Sequence, residues 1–317
     1  MNLVQKSIFL FTLSVYSQLS FGQEDLLSLV DDKKEEGHKK VYATFKTVRI
    51  GNAQTIETVK KKHLDFRISH RFGNVYDSNN KNPINETFQT SLGFDNASDI
   101  RLSFDYGILD NLSVGIGRSK LNKLADANVK WKILEQTTDF HMPISLAFFT
   151  SMGYSHAPTS AIYNGIVKDF PTKEAHRFNY FSQFIIASKV SDWLSVELLP
   201  SYMYRNFIKE NVNTKNGNAA DVNGFFSMGI GGRVKLTKRL SLIGDYFYNT
   251  PAFYQKNDKV FNPLSLGIEI ETGGHVFSLF YTNASGLIEN NYIPYTTDSW
   301  AKGQVKFGFC ISRTFAL

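Results

Sequence analysis

From Leu64 to the last residue, this 317-residue chain alternates apolar and polar side chains in stretches of about ten residues. Successive side chains of a strand point to opposite faces, so each stretch is a strand with two unlike surfaces. In 64–72, Leu64, Phe66, Ile68 and Phe72 share one face, while Asp65, Arg67, Ser69 and Arg71 share the other. The same parity recurs in 100–108, 112–117, 128–133, 194–205, 226–235, 264–271 and 304–315. Less regular alternation marks 142–155, 176–190, 240–250 and 275–284. The chain is therefore expected to be all-β, with about twelve strands. Strands of this length exceed the usual five or six residues of soluble sheets. They match the nine to eleven needed to cross a bilayer at a tilt.

The links between these stretches alternate in length. Leu109-Asp110-Asn111, Ser191-Asp192, Thr237-Lys238-Arg239 and Thr272-Gly273-Gly274 are tight. The links at 73–98, 156–175, 208–221, 251–262 and 285–302 are long, and only Ser119–Lys123 is short where a long link is due. Short turns on one side and longer loops on the other are the habit of outer-membrane barrels. An open edge in hydrocarbon would leave unpaired backbone groups, so the strands must close on themselves. The expectation is a transmembrane up-and-down antiparallel barrel, its apolar parity facing lipid. Tyr106, Tyr154, Tyr202, Tyr204, Tyr246 and Tyr248 fall at strand ends, where interfacial girdles form. Phe307, Phe309, Ile311, Phe315 and Leu317 carry one parity to the end, interrupted by Arg313. Such a final strand suits recognition by the outer-membrane assembly machinery.

Composition agrees. Aromatics reach 14%, with 27 Phe and 15 Tyr, while mean hydropathy stays negative at −0.23. Alternation produces that pairing of many aromatics with a polar average. No run of about 20 apolar residues follows the N-terminus, which excludes a bundle of membrane helices. A single Cys excludes a disulfide scaffold and a cysteine-rich zinc site. Lys6, the apolar run from Ile8 to Tyr16 and Ser20-Phe21-Gly22 read as an export signal over 1–22, cleaved after Gly22. An arm or hairpin follows at 23–60, and the barrel occupies 61–317. Within the arm, 31–40 is a mixed charge run that reads as a solvated segment.

The segments Asn96–Lys120, Leu64–Gly73 and Ile268–Asn283 resemble a Bacteroidota family of outer-membrane β-barrel proteins that carries a domain of unknown function. The resemblance spans about residues 41 to 317. It implies location and fold, and it brings no functional residue with it.

Chemical motifs are sparse. The seven His residues form no HExxH, HxH or His-Cys cluster, so no metal site is expected. Ser69-His70 and Ser155-His156 are adjacent in sequence, which does not supply triad geometry. No phosphate-binding or dinucleotide fingerprint occurs, no basic patch suits nucleic acid, and no cofactor or catalytic residue is expected. Cys310 falls on the lumen parity and reads as a small filler without a partner.

The lumen parity carries the charge. Lumen-lining candidates are Arg67, Arg71, Arg101, Asp105, Lys130, Lys132, Glu197, Arg205, Arg233, Lys235, Asp245, Glu269, Glu271 and Lys306. They either sort small solutes at a constriction or pair with one another to fill a narrow barrel. The stretch 41–62 holds a hairpin turning at Gly51-Asn52. It would sit outside the wall, add two strands to make fourteen, or plug the lumen. Twelve strands with this hairpin outside the wall is the favoured arrangement.

The expected role is that of a structural barrel or narrow small-solute channel, not an enzyme. It would lie in the outer membrane of a Gram-negative bacterium, with the arm in the periplasm. Its partners would be membrane lipid and a small solute, or a surface partner held by the long loops. An outer-membrane enzyme of the phospholipase kind is a third alternative.

Overall fold

A computed structural model describes residues 38–157, 173–208, 222–254 and 259–317. The expected signal and the first part of the arm lie outside the described residues. The compact unit runs from Lys40 to Leu317. It begins with a two-stranded hairpin, β1 (Arg49–Ile50) and β2 (Ala53–Gln54). The wall follows as β3 (His63–Asn74), β4 (Ala97–Leu109), β5 (Leu112–Ser119), β6 (Leu124–Leu134), β7 (Ser145–Ser155) and β8 (Phe178–Lys189). It continues as β9 (Leu194–Arg205), β10 (Gly224–Lys235), β11 (Leu240–Asn249), β12 (Leu264–Thr272), β13 (His275–Thr282) and β14 (Lys306–Ala316). Among the described residues three short α-helices lie in the loops: α1 (Pro83–Gln89), α2 (Pro251–Tyr254) and α3 (Glu289–Tyr295).

Strands β3 to β14 form one closed barrel of twelve, each paired antiparallel with its neighbours in sequence. The seam joins β14 to β3, from His63 opposite Ala316 to Asn74 opposite Lys306, with a bulge between Lys306 and Gly308. The barrel strands run 8 to 13 residues. Both the start of β3 and the end of β14 lie at one rim, called here the terminal rim. Four of the five links there are tight, such as the Gly273-Gly274 turn between the paired Thr272 and His275, and the β6–β7 link over 135–144 is longer. Loops at the far rim are longer, and they carry all three helices.

Burial follows parity. In β4, Asp99, Arg101, Ser103 and Gly107 are buried, while Ile100, Leu102, Phe104, Tyr106 and Ile108 are exposed. The exposed set is the lipid face. Stacked pairs such as Phe66 on Phe104 run along it, and His70 stacks there on Phe309. Of the strand-end tyrosines, Tyr202, Tyr204 and Tyr248 are exposed near the far rim and Tyr106 near the terminal rim.

This arrangement predicts an asymmetry between adjacent positions. Phe104→Arg, on the lipid face midway along β4 between Phe66 and Ile116, should cost about 2–4 kcal/mol in denaturant unfolding from lipid vesicles. A loss below half a kilocalorie would mean that this face does not meet hydrocarbon.

Candidate functional site

The barrel interior is where the chain's polar chemistry converges. The arc from β3 to β6 presents charged and small residues inward. Arg101 forms a two-pronged pair with Asp126, one N–H···O distance being 2.9 Å. Arg67 Nη2 donates to Asp65 at 3.1 Å, and Asn128 donates to Asp105 at 3.3 Å. On the other side of the seam, Arg233 Nε donates to Glu269 at 2.8 Å. Lys306 binds Asp298 and donates to Asn74 Oδ1 at 2.7 Å. The arginines lie flat because glycines face them. A Cβ at Gly117 would meet the Arg101 guanidinium at 2.0 Å, and one at Gly308 would meet Arg71 at 2.3 Å.

The arc from β7 to β11 differs: here apolar side chains also point inward. Ala147, Phe149, Phe181, Ile185, Leu199, Met203, Phe225, Ile243 and Phe247 are all buried. They form one core with Phe45, Ile50, Ala53 and Ile56 of the arm, and with Ala284, Tyr292 and Ile293 of the β13–β14 loop. Two inserted segments thus fill the lumen. Buried inward side chains occur around the whole ring, among them Arg71, Gln183, Asp245, Ser265 and Glu269. An open pore of twelve strands would wet them.

The arm enters from the terminal rim. Val41 N donates to Gln136 O at 2.8 Å, and Lys40 pairs with Glu135 there. Its hairpin tip reaches deep into the barrel. Gly51 has φ of +48°, a conformation that glycine adopts without steric cost, and an added Cβ would lie 2.2 Å from Asp245 Oδ2 and from Ser265 Oγ. Asn52 beside it spends every polar atom. Its backbone N–H donates to Asp245 at 2.8 Å, and its amide nitrogen donates to Thr282 at 3.2 Å. Its side-chain oxygen accepts from Arg71 at 2.6 Å, and its carbonyl accepts from Arg49 at 2.8 Å and from Tyr292 Oη at 3.2 Å. The Arg71 guanidinium also lies over the Phe280 ring at 4.2 Å.

Lys130 fastens the arm at mid-height. Its ammonium donates to three arm carbonyls: Val48 at 3.0 Å, Thr55 at 2.9 Å and Glu57 at 3.1 Å. An ammonium has three donors, so its capacity is used entirely on the arm. On the way out the arm crosses Gly107, where a Cβ would lie 2.0 Å from Lys60 O. Lys62 N then donates to Gly107 O at 2.9 Å.

Helix α3 closes the lumen from the far rim. Every residue from Glu289 to Pro294 is buried, as expected of a helix surrounded by protein. Asn290 accepts from Ser151 at 2.8 Å and donates to Asn179 at 2.6 Å. Asn291 accepts from Asn122 at 3.0 Å. Glu289 pairs with Arg49, so arm and helix meet inside the barrel. Burial pushes the Glu289 carboxyl above its ordinary range, and the Arg49 guanidinium opposes that shift.

A family profile described as a membrane bound beta barrel domain, DUF5777, matches residues 45–315. The chain belongs to this family. The match starts at Phe45, the first arm residue in the lumen core, so the inserted hairpin is part of the family's domain. Its fold is likened to that of solved structures at low identity. A NanC porin gives a TM-score of 0.46 at 8% identity, covering 80% of this chain and 100% of its own. A KdgM porin gives 0.44 at 10%, covering 80% and 99%. LpxR from Salmonella typhimurium gives 0.35 at 10%, covering 80% and 100%. No curated protein sequence matches the chain.

Several sequence expectations need correction. The hairpin at Gly51-Asn52 is inside the wall, not outside, and it adds no strands to the ladder. Phe45, Ile50 and Ile56 require apolar neighbours, and the β7–β11 arc supplies them. Cys310 is not without contacts: Arg67 Nη1 and Ser69 Oγ each lie 3.3 Å from its sulfur. Lys235 is exposed, because β10 ends at the terminal rim and the side chain reaches water there. Arg67, Arg71, Arg101, Lys130, Glu197, Arg205, Arg233, Asp245, Glu269 and Lys306 are buried. Asp105, Lys132 and Glu271 are half-buried, with Lys132 facing Glu57 at 3.6 Å and Glu271 facing Lys46 at 3.0 Å. The Ser-His neighbours are drawn apart. Ser69 points inward while His70 stacks on the lipid face. Ser155 donates to Asn122 O at 2.7 Å while His156 meets Arg118 at 2.9 Å. Sequence reasoning missed Arg49, Asn52, Asp126, Glu289 and Tyr292.

Two outcomes follow from this geometry. Lys130→Met should leave three arm carbonyls without their donor, at about 1–3 kcal/mol for each one that stays dry. Tryptic cleavage after Arg49 should then accelerate about tenfold or more over the parent, on the same energy scale. An unchanged rate would show that apolar packing alone holds the arm. Arg101→Ala should destabilise the barrel by about 3–5 kcal/mol by stranding Asp126, with Asp126→Asn on top restoring part of the loss. If the double variant unfolds no later than the single one, the pair does not carry that energy.

Proposed function

We propose that this protein is an outer-membrane channel for small solutes that is shut at rest by its own chain. The observation that carries the reading is the topology of the blocking arm. It lies N-terminal to β3 and, like the α3 segment at the far rim, belongs to no wall strand, so both can leave the lumen through their own rims without breaking the barrel ladder. Behind the arm lies a wall set with Arg67, Arg71, Arg101, Asp105, Lys130 and Asp245. Both carboxylate oxygens of Glu197, and Oδ1 of Asp245, have no protein hydrogen-bond partner. Dry, unpartnered groups of this kind cost about 1–3 kcal/mol each, a cost that water relieves on opening. In this reading the terminal rim faces the periplasm, β14 is the strand read by the assembly machinery, and no catalytic step is involved.

Burying Phe45, Ile50 and Ile56 favours the shut state by about 1.5–3 kcal/mol per side chain. Opening therefore needs a trigger. The same apolar packing supports a second reading, a permanently closed barrel with a structural or partner-binding role.

Planar-bilayer recording separates the two. The parent chain should be silent, and the full-length Lys130→Met/Asn52→Ala variant should show brief, discrete openings. Steady conductance of the parent would overturn the shut state. A silent variant whose arm is nevertheless cut by trypsin would favour the closed structural barrel.

A further inference from the structure

The far rim dips at one place. β5 and β6 are joined by residues 120–123 alone, whereas the other far-rim links span 75–96, 156–177, 206–223, 250–263 and 283–305. The dip is tightly wound, with Asn122 at φ of 57° and Lys123 at 43°. It is also basic, since Arg118, Lys120 and Lys123 are all exposed. Arg118 shares the outward parity of Leu112, Val114 and Ile116, and it stands opposite Leu102 on β4 and Ala125 on β6. Leu102 and Ile116 are well exposed on the lipid face, so the basic group sits directly above hydrocarbon-facing wall.

Two of the three cations are held in place by uncharged groups. Arg118 Nη1 donates to Lys123 O at 2.6 Å and meets His156 Nδ1 at 2.9 Å. Lys120 Nζ donates to Ala97 O at 2.9 Å. Among the described residues none of the three pairs with a carboxylate. Of the acidic side chains nearby, Glu174 is bound to Tyr154 Oη and lies near Arg177, while the buried Asp99 accepts from Leu121 N of the link at 2.8 Å. A guanidinium carries five donors, so Arg118 keeps N–H groups to offer outward.

We propose that this dip binds the anionic phosphate of a membrane-lipid headgroup, whose acyl chains lie along Leu102 and Ile116. Low rim height is what the site requires. On a tall loop the same charges would stand in bulk water, while here they stand at headgroup level beside the apolar wall. The inner side of the same link is tied to the far-rim stopper. Asn122 donates to Asn291 on α3 at 3.0 Å, and Asn291 donates to Leu121 O at 3.3 Å. A bound headgroup thus braces the residues against which α3 rests. The inference depends on the membrane-bound fold and not on the channel reading.

The test is native mass spectrometry of the full chain released from nanodiscs of phosphatidylcholine with a minor share of phosphatidylglycerol. The parent should retain phosphatidylglycerol selectively. The Arg118→Gln/Lys120→Gln/Lys123→Gln variant should lose it, by roughly fivefold for each charge removed. The charge-matched control Lys235→Gln/Lys238→Gln/Arg239→Gln, at the terminal rim, should retain it like the parent. Heat-modifiable migration on a gel identifies samples that are folded, and the charge-keeping Lys120→Arg/Lys123→Arg variant should bind as the parent does. Equal retention by the parent and the triple far-rim variant would overturn the proposal. So would equal loss in the control, which would mean attraction to net charge alone. Displacement of the lipid by millimolar inorganic phosphate would assign the site to free phosphate instead.

Discussion

Backbone hydrogen bonding in a medium without water governs this molecule. Hydrocarbon offers no partner to an N–H or C=O, so a strand there needs a neighbour on each side. Twelve strands satisfy that only when the last meets the first, and the β14–β3 seam is where they do. Closure then sorts every strand residue into one of two solvents. The outward parity must be apolar, which is why Phe and Tyr are so abundant in a chain of negative mean hydropathy. The inward parity is released from that demand and can carry charge.

A closed wall of this size encloses a space that its own side chains do not fill. The chain supplies the filling from two places far apart in sequence. The hairpin at Gly51-Asn52 comes from one rim and α3 from the other, and they touch through Arg49–Glu289 and Tyr292–Asn52. The division of labour is visible in the chemistry. Apolar arm residues lie against the β7–β11 arc, while arm carbonyls face Lys130 on the charged side. The arm is thus amphipathic in the same sense as the cavity it occupies. Ion pairs on the charged side, such as Arg101–Asp126, satisfy groups whose isolated burial would be costly.

The wall was legible because period two is a strong local signal. The stretch 194–205 coincides with β9, and 64–72 lies within β3. The plug was not legible in the same way, because its contacts are set by the closed ring and not by neighbours in sequence. A trace of it existed. The stretches 142–155, 176–190 and 240–250 alternate poorly because Phe149, Phe181, Ile185, Ile243 and Phe247 make the inward face apolar as well. These strands belong to one continuous arc of the barrel. An arc that is apolar on both faces demands an apolar occupant, and 41–62 contains Phe45, Ile50 and Ile56. Arg49 and Glu289 left no comparable trace, since nothing local distinguishes them from solvated charges. Asp126 went unnoticed because β6 begins earlier than its clean alternation suggests.

The seat of Asn52 bears on how such a barrel can be made. Its partners Asp245 and Thr282 lie 193 and 230 residues further along the chain, and Tyr292 lies 240 further. Its remaining side-chain contact reaches only as far as Arg71 on β3, so one residue is bound by both early and late parts of the wall. The contacts of long separation are slow to form, because loop closure precedes any gain. The hairpin belongs to no wall strand, so the mouth through which it would leave a finished ring is also a way in. One asparagine thus ties the first strand of the wall to two of its last.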